Sequence, residues 1–377
     1  MRGGAARAVR RQPAIRQKGG PSAGADSEET ATGTAAGTWL VRGADGRLSA
    51  YAPAQDGLLR WTQTAPGGDA WTGPRFFPAA GLTDLSVVRG PQGFVHFVGR
   101  RERPLPDGGV TVDVAYALQY QTGRPLTEWV SVGNPHKDPG RAVRLGAPAA
   151  AVDAAGTVHV FVRTADGGVM LRREGKGGAW EPWRDLRGHG VRDGLCPVVS
   201  PDGGVELLAP TAASTLHWTQ SEAGGALRRS LDMIPAPAPG SVTALVTAAD
   251  RLTYLWTDAA GSGLVAHRLG GWVVPLGGGP AADTANSVLR TVLDDQDCTV
   301  VAHRGRDGNA MVGVCRTEDE ASGMWWVDTG VPCLGTPVLA TDALGRVVLA
   351  LLGPDGALRV ARQREEPGLT LTAWARV

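Results

Sequence analysis

Residues 146–188 read GAPAAAVDAAGTVHVFVRTADGGVMLRREGKGGAWEPWRDLRG, and the fold is decided on this stretch. An apolar run ends at Asp153, and a turn through Gly156 leads into Val158, His159, Val160, Phe161 and Val162. Asp166, Gly167 and Gly168 supply a second turn, a third run follows from Val169 to Arg173, and a longer loop reaches Trp180 and Trp183. Asp-Gly pairs suit tight hairpins because such turns need positive φ, which glycine adopts without steric cost. Four short strands joined by hairpins in roughly 45 residues make a unit the size of one propeller blade.

The pattern recurs on both sides of this stretch. Upstream, Asp45-Gly46, Leu48 to Tyr51, Asp56-Gly57 and Leu59 to Gln63 lead to Trp71. A second unit runs from Phe94 to Val98 through an enlarged loop around Pro104 to Gly109, then Ala117 to Gln121 and Trp129. Downstream, the markers are Leu216 to Gln220, then Leu252 to Trp256 with Trp272, then Cys298 to His303 with Trp325-Trp326, and last Val347 to Leu352 with Trp374. Units therefore start near 37, 81, 146, 194, 240, 286 and 336, with loop 133–145 accounting for part of the one long interval. The repeat predicts an all-β chain: a single β-propeller of seven blades, each of four antiparallel strands, over 37–377. Closing such a ring covers strand edges that would otherwise be open to pairing. The 54 Gly and 26 Pro among 377 residues agree with a turn-rich, β-friendly chain.

Residues 1–36 differ. They are rich in Ala, Gly, Arg, Ser and Thr with no apolar period, and such a segment cannot bury enough surface to offset its ordering entropy. The expectation is a disordered basic tail carrying Arg2, Arg7, Arg10, Arg11, Arg16 and Lys18, with no acid before Asp26. It reads as a solvated tail or as a docking or targeting tail. The net charge of +1 gives no basic excess of the kind nucleic acid demands. The charged start is followed by no apolar h-region, and no run of ~18 apolar residues occurs. Neither an ordinary secretory signal nor a membrane span is expected, which points to the cytoplasm or to release by an unconventional route. Cys196, Cys298, Cys315 and Cys333 form no C-x-x-C and fit no zinc spacing, so they read as small buried thiols. Cys298 and Cys315 flank the Asp307-Gly308 turn, and a disulfide between them depends on geometry.

A unit with a D-x-x-G turn, an apolar strand, a D-G turn, L-x-x-x-Q and W-x-x-W resembles the PLL-like bacterial propeller lectins. LRWTQ at 59–63, LHWTQ at 216–220 and WEPW at 180–183 carry the likeness, which extends over nearly everything after the tail. The resemblance implies seven blades and pockets between neighbouring blades that bind fucosylated or related glycans without transforming them. Family copies are near-identical from blade to blade, whereas these units have diverged.

Each candidate residue carries two readings. Trp71, Trp129, Trp180, Trp272, Trp325 and Trp374 recur near one place in their units, as inter-blade packing or as faces on which a sugar stacks. Trp61 and Trp218 form a second recurrent pair on the third strand, in the core or in a site. His96 and His159 occupy equivalent positions, as hydrogen-bonded structural histidines or as ligand donors. Arg100, Arg163 and Arg304 follow the second strand, either solvated or offering a planar fork to vicinal hydroxyls. The expected ligand-binding set is Trp61, Trp218, Trp180, Trp183, His96, His159, Arg100 and Arg163. No catalytic motif, cofactor fingerprint or metal cluster is evident. Three functions follow in order: a non-catalytic glycan-binding propeller, a scaffold for a protein partner, and a propeller glycoside hydrolase.

Overall fold

The computed structural model describes residues 29–106, 108–233, 236–282 and 284–377. Seven antiparallel sheets follow one another at 40–78, 82–133, 149–187, 196–229, 243–277, 287–332 and 334–376, numbered here blades 1 to 7. Within each blade four strands pair in chain order. First strands converge on a central channel lined by Ser86, Ala149, Cys196, Thr243, Ser287 and Val338 of blades 2 to 7. The chain is a seven-bladed β-propeller with almost no helix, as its repeat predicts. Among the described residues no helix is long and apolar enough to cross a membrane.

Blade 3 shows why these residues make strands. In Val158–Arg163 alternate side chains point to opposite faces. Phe161 packs with Leu207 and Trp218 of blade 4, while Val158, Val160 and Val162 pack with Val98 and Val114 of blade 2. Both faces are covered, so the strand is buried along its length, with β-branched valine on one face and His159 and Phe161 on the other. Gly156 holds the preceding turn at φ +85°, which a residue with a Cβ adopts only under strain.

The L-x-x-x-Q element is a staple within the blade. Gln63 Oε1 accepts from the Leu48 amide at 2.8 Å, and Gln220 Oε1 accepts from the Val205 amide at 2.7 Å. Their Nε2 atoms donate to the Gly68 and Gly225 carbonyls in the loop before the fourth strand. Gln363 repeats the first contact, to Val347. One side chain thus ties the start of the second strand to the loop after the third, satisfying backbone groups that the ladder leaves open.

Blades 1 and 7 each draw all four strands from one continuous stretch, so side chains close the ring. Trp39 Nε1 donates to Thr336 O, Arg42 to Asp342 O at 2.9 Å, and Arg346 to Gly67 O at 2.7 Å. Arg362, largely buried, bonds Asp69 and the Gly68 carbonyl.

Of the segment expected to be a disordered tail, residues 1–28 lie outside the described residues. Residues 29–36 lie against the propeller. Ala31 bridges Ala54, Thr34 Oγ1 accepts from the Thr336 amide, and Ala36–Gly37 pair in parallel with Ser86 and Val87. The reason is the composition that suggested disorder. A Cβ added to Gly37 would stand 2.5 Å from Val87 O, so only so small a residue lets the two backbones approach.

Loop 133–145 contains a short helix, Pro139–Ala142, capped by Asp138 Oδ1 accepting from the Arg141 amide at 2.8 Å. Cys298 pairs with Arg316, and Thr299 with Cys315. Side chains of directly paired residues share a face and neighbours alternate. Cys298 and Cys315 therefore stand on opposite faces of their hairpin, and both are free thiols.

Candidate functional site

Each blade presents to the next a rung formed by a residue early in its second strand and that residue's partner in the third. The rungs are Ser49–Thr62, His96–Leu118, His159–Arg173, Glu206–Thr219, Thr253–Arg268 and Val348–Arg362 in blades 1 to 5 and 7. Polar groups at or beside this rung reach across the seams. Arg60 donates to Gly123 O of blade 2, and Tyr254 of blade 5 donates to Glu206 Oε2 at 2.6 Å. Arg268 bonds Glu320 of blade 6, and Arg362 bonds Asp69 of blade 1.

Blade 6 breaks the series, because its rung is Val300–Val314. Its outermost strand, Trp325–Pro332, has eight residues, whereas that of blade 7, Ala375–Arg376, has two. A long apolar wall therefore faces a wall that stops short. Between them lies a groove of about 770 Å³. Trp325 and Val327 form one side, Leu369, Leu371 and Trp374 the other, and Leu293, Cys298, Val312 and Val314 the floor. Trp325 is 83% exposed, so its indole face is available, while Trp374 is half-buried against the core of blades 6 and 7. Such a volume is within the range of small-ligand sites, which combine an apolar lining with a few polar groups.

The polar groups stand at the rim. Arg316 lines the groove with no carboxylate partner among the described residues. Asp294 Oδ2 accepts from the Gly368 amide at 2.7 Å, and Ser322 donates to Asp319 at 2.8 Å. The Gly330 amide and Asn309 hold the Asp328 carboxyl below the usual carboxylate range. Burial pushes the Cys315 thiol, on the face of the hairpin turned away from this floor, up to about 12. The central channel, about 540 Å³, is lined by Ala, Val, Leu, Thr, Ser, Pro, Gly, Asn, Cys and Trp, with no carboxylate among its described residues.

The residues expected from the sequence to bind ligand stand elsewhere. Trp61 and Trp218 are 2% and 1% exposed, with both indole faces covered, and Trp218 Nε1 donates to Leu186 O of the preceding blade. His159 is wholly buried: its Nε2 meets Asp153 Oδ2 at 3.0 Å, and the same oxygen accepts from the Gly224 amide of blade 4. Burial would raise Asp153, but these donors and the Thr157 amide outweigh it and hold the carboxyl low. The cavity beside His159 measures about 40 Å³, room for about one water and not for a sugar. His96 Nδ1 meets the Tyr116 hydroxyl at 2.9 Å, and burial pulls this imidazole down to about 4. Trp180 packs edge-on against Tyr116, and Arg172 lies over Trp183. Arg100 is engaged by Glu102 and Val143 O, and Arg163 by both oxygens of Asp193. His96, Trp180 and Trp183 gather at the seam of blades 2 and 3, and none of the eight lines the groove.

Two sequence signals mark the groove in retrospect. Trp325-Trp326 is a double tryptophan on one strand, so the two indoles must face opposite seams. Trp326 turns to blade 5 and donates to Leu276 O at 2.7 Å, which leaves Trp325 for the groove. The second signal is valine at both positions of a rung that holds at least one polar residue in every other blade.

No protein-family model and no curated protein matches the chain. Solved structures do. An ulvan lyase of a new polysaccharide lyase family, solved bound to a saccharide, aligns over 92% of this chain and 96% of its own at 10% identity, with a TM-score of 0.56. The leech intramolecular trans-sialidase aligns over 93% and 69% at 10% identity, TM-score 0.52. AofleA from Arthrobotrys oligospora aligns over 78% and 85% at 14% identity, TM-score 0.49. At these identities the likeness shows the fold alone.

Proposed function

We propose that this protein is a non-catalytic, PLL-like carbohydrate-binding propeller whose ligand lies in the groove between blades 6 and 7. The observation that carries the reading is a free indole, Trp325, facing Trp374 across a groove of about 770 Å³ with Arg316 unpaired at its rim. A pyranose presents an apolar C–H face to an indole and hydroxyls at its edge, which a guanidinium and carboxylates satisfy. The non-catalytic part is supported by chemistry. Glycoside hydrolysis needs two carboxyls converging on one bond, one of them held protonated. At the groove, hydrogen bonds hold Asp328 low, the opposite of what an acid catalyst needs.

The test is a glycan array with the full chain, followed by calorimetry on any hit. A sugar-dependent signal that Trp325→Ala abolishes is expected. Absence of signal at millimolar sugar, or a signal unchanged by Trp325→Ala, overturns the assignment.

A further inference from the structure

The rim of the groove carries more acid than base, with three carboxylates against Arg316. Asp294, Asp319 and Asp328 line it, and Asp295 follows directly on Asp294. Among the described residues none of these four is paired with an arginine, whereas the neighbouring Asp297, Glu318 and Glu320 are held by Arg290, Arg251 and Arg268. The residues outside the description carry the opposite sign. Residues 1–28 hold five Arg and one Lys against Asp26 and Glu28, a net of +4. The whole chain is +1, so residues 29–377 sum to −3.

The length of the segment allows it to meet the groove. A Cβ added to Gly356 would meet Thr30 Cβ at 3.1 Å and Ala31 O at 2.8 Å. Gly356 sits in the hairpin between the second and third strands of blade 7, and Ala31 bridges Ala54 of blade 1, so residue 29 leaves the propeller at the end of the strands opposite the Asp294 hairpin and the Gly368 loop that border the groove. A dozen extended residues reach about 40 Å, roughly twice the ~20 Å length of a six-residue strand. Residues 7–18, RAVRRQPAIRQK, lie at that reach and set Val9 and Ile15 among arginines. That pattern matches an apolar floor with an acidic rim, and an arginine also stacks favourably on an exposed indole.

We propose that segment 7–18 of this same chain docks in the groove between blades 6 and 7. Val9 and Ile15 meet the apolar walls, and the arginines meet Asp294, Asp295, Asp319 and Asp328. The inference goes beyond the carbohydrate reading and stands without it. Where both hold, segment and sugar compete for Trp325.

Hydroxyl-radical oxidation of the full chain, read residue by residue by mass spectrometry, tests the docking. Trp272, 93% exposed in a loop of blade 5 and outside the groove lining, serves as internal reference for Trp325. At low ionic strength Trp325 is expected to oxidise several-fold more slowly than Trp272. The ratio should return towards one when Arg7, Arg10, Arg11 and Arg16 are all replaced by serine, and also in about 0.5 M salt, where the Debye length falls to a few ångströms. Equal rates for the two indoles in the unmodified chain overturn the proposal, as does protection that survives the four substitutions. Protection that grows with protein concentration assigns the occupant to a second copy and overturns docking within the chain. No sugar is present, so failure here is distinct from failure of glycan binding.

Discussion

The seams between blades 3 and 4 and between blades 6 and 7 are built from the same rung and end in opposite states. At the first, His159 and Arg173 fill the rung, Asp153 takes bonds from His159 and from blade 4, and a cavity of about 40 Å³ remains. At the second, Val300 and Val314 fill it, and among the described residues the Gly368 amide reaches Asp294 only at the rim while the rung itself sends no polar group across, so about 770 Å³ stays open. A propeller needs each wedge filled to hold its ring together. Polar groups seal a seam because a buried donor or acceptor must find its partner, and only the adjoining blade offers one. Valines impose no such demand, so a short outer strand in blade 7 can leave the seam unfilled at modest cost.

The largest test of this contrast is Asp153→Ala. The change leaves His159 Nε2 and the Thr157 and Gly224 amides without their acceptor. Removing one member of such a buried constellation costs about 3–5 kcal/mol. Urea unfolding should show a loss of that order. A loss under about 1 kcal/mol would mean that the pair does not seal the seam.

The seam between blades 2 and 3 gives the next effect, in pH. Burial pulls His96 down to about 4, below the ordinary imidazole value of about 6.5. Between these values the unfolded chain binds a proton that the folded chain refuses, so stability falls as pH drops from about 6.5 towards 4. The full span corresponds to up to about 3 kcal/mol from this group. His267 and His303 are lowered in the same direction, so the wild-type slope sums several groups. His96→Gln should flatten the stability–pH curve within that window relative to wild type. An unchanged slope would show that His96 titrates freely and that its seam admits water.

The fold was legible because its signals are local. An Asp-Gly turn, a β-branched run and a returning Gln each act within one blade, and most blades carry at least two of the three. The candidate site was not, because it belongs to a difference between blades. Trp61 and Trp218 stand out in LRWTQ and LHWTQ, yet their recurrence reflects packing against the preceding blade. His96 and His159 do occupy equivalent positions, and both are spent on seams. Within blade 6 the Trp325-Trp326 pair and the valine rung mark the place, but what leaves Trp325 free is the two-residue outer strand and loop of blade 7, which no spacing within blade 6 encodes.

The groove walls give the smallest stability effects and the sharpest separation. Trp374 is half-buried against the core of blades 6 and 7, and Trp374→Ala should cost about 2 kcal/mol, below the 3–5 typical of a fully buried tryptophan. Trp325 has its indole in solvent, and Trp325→Ala should change stability by no more than about 0.5 kcal/mol. The same change should weaken any groove ligand about tenfold or more, equivalent to about 1.4 kcal/mol. Urea melts and calorimetry on the two variants therefore separate a wall that holds the fold from one that serves a ligand. If Trp325→Ala destabilised the protein as much as Trp374→Ala, Trp325 would be a packing residue, and the two seams would differ in polarity alone.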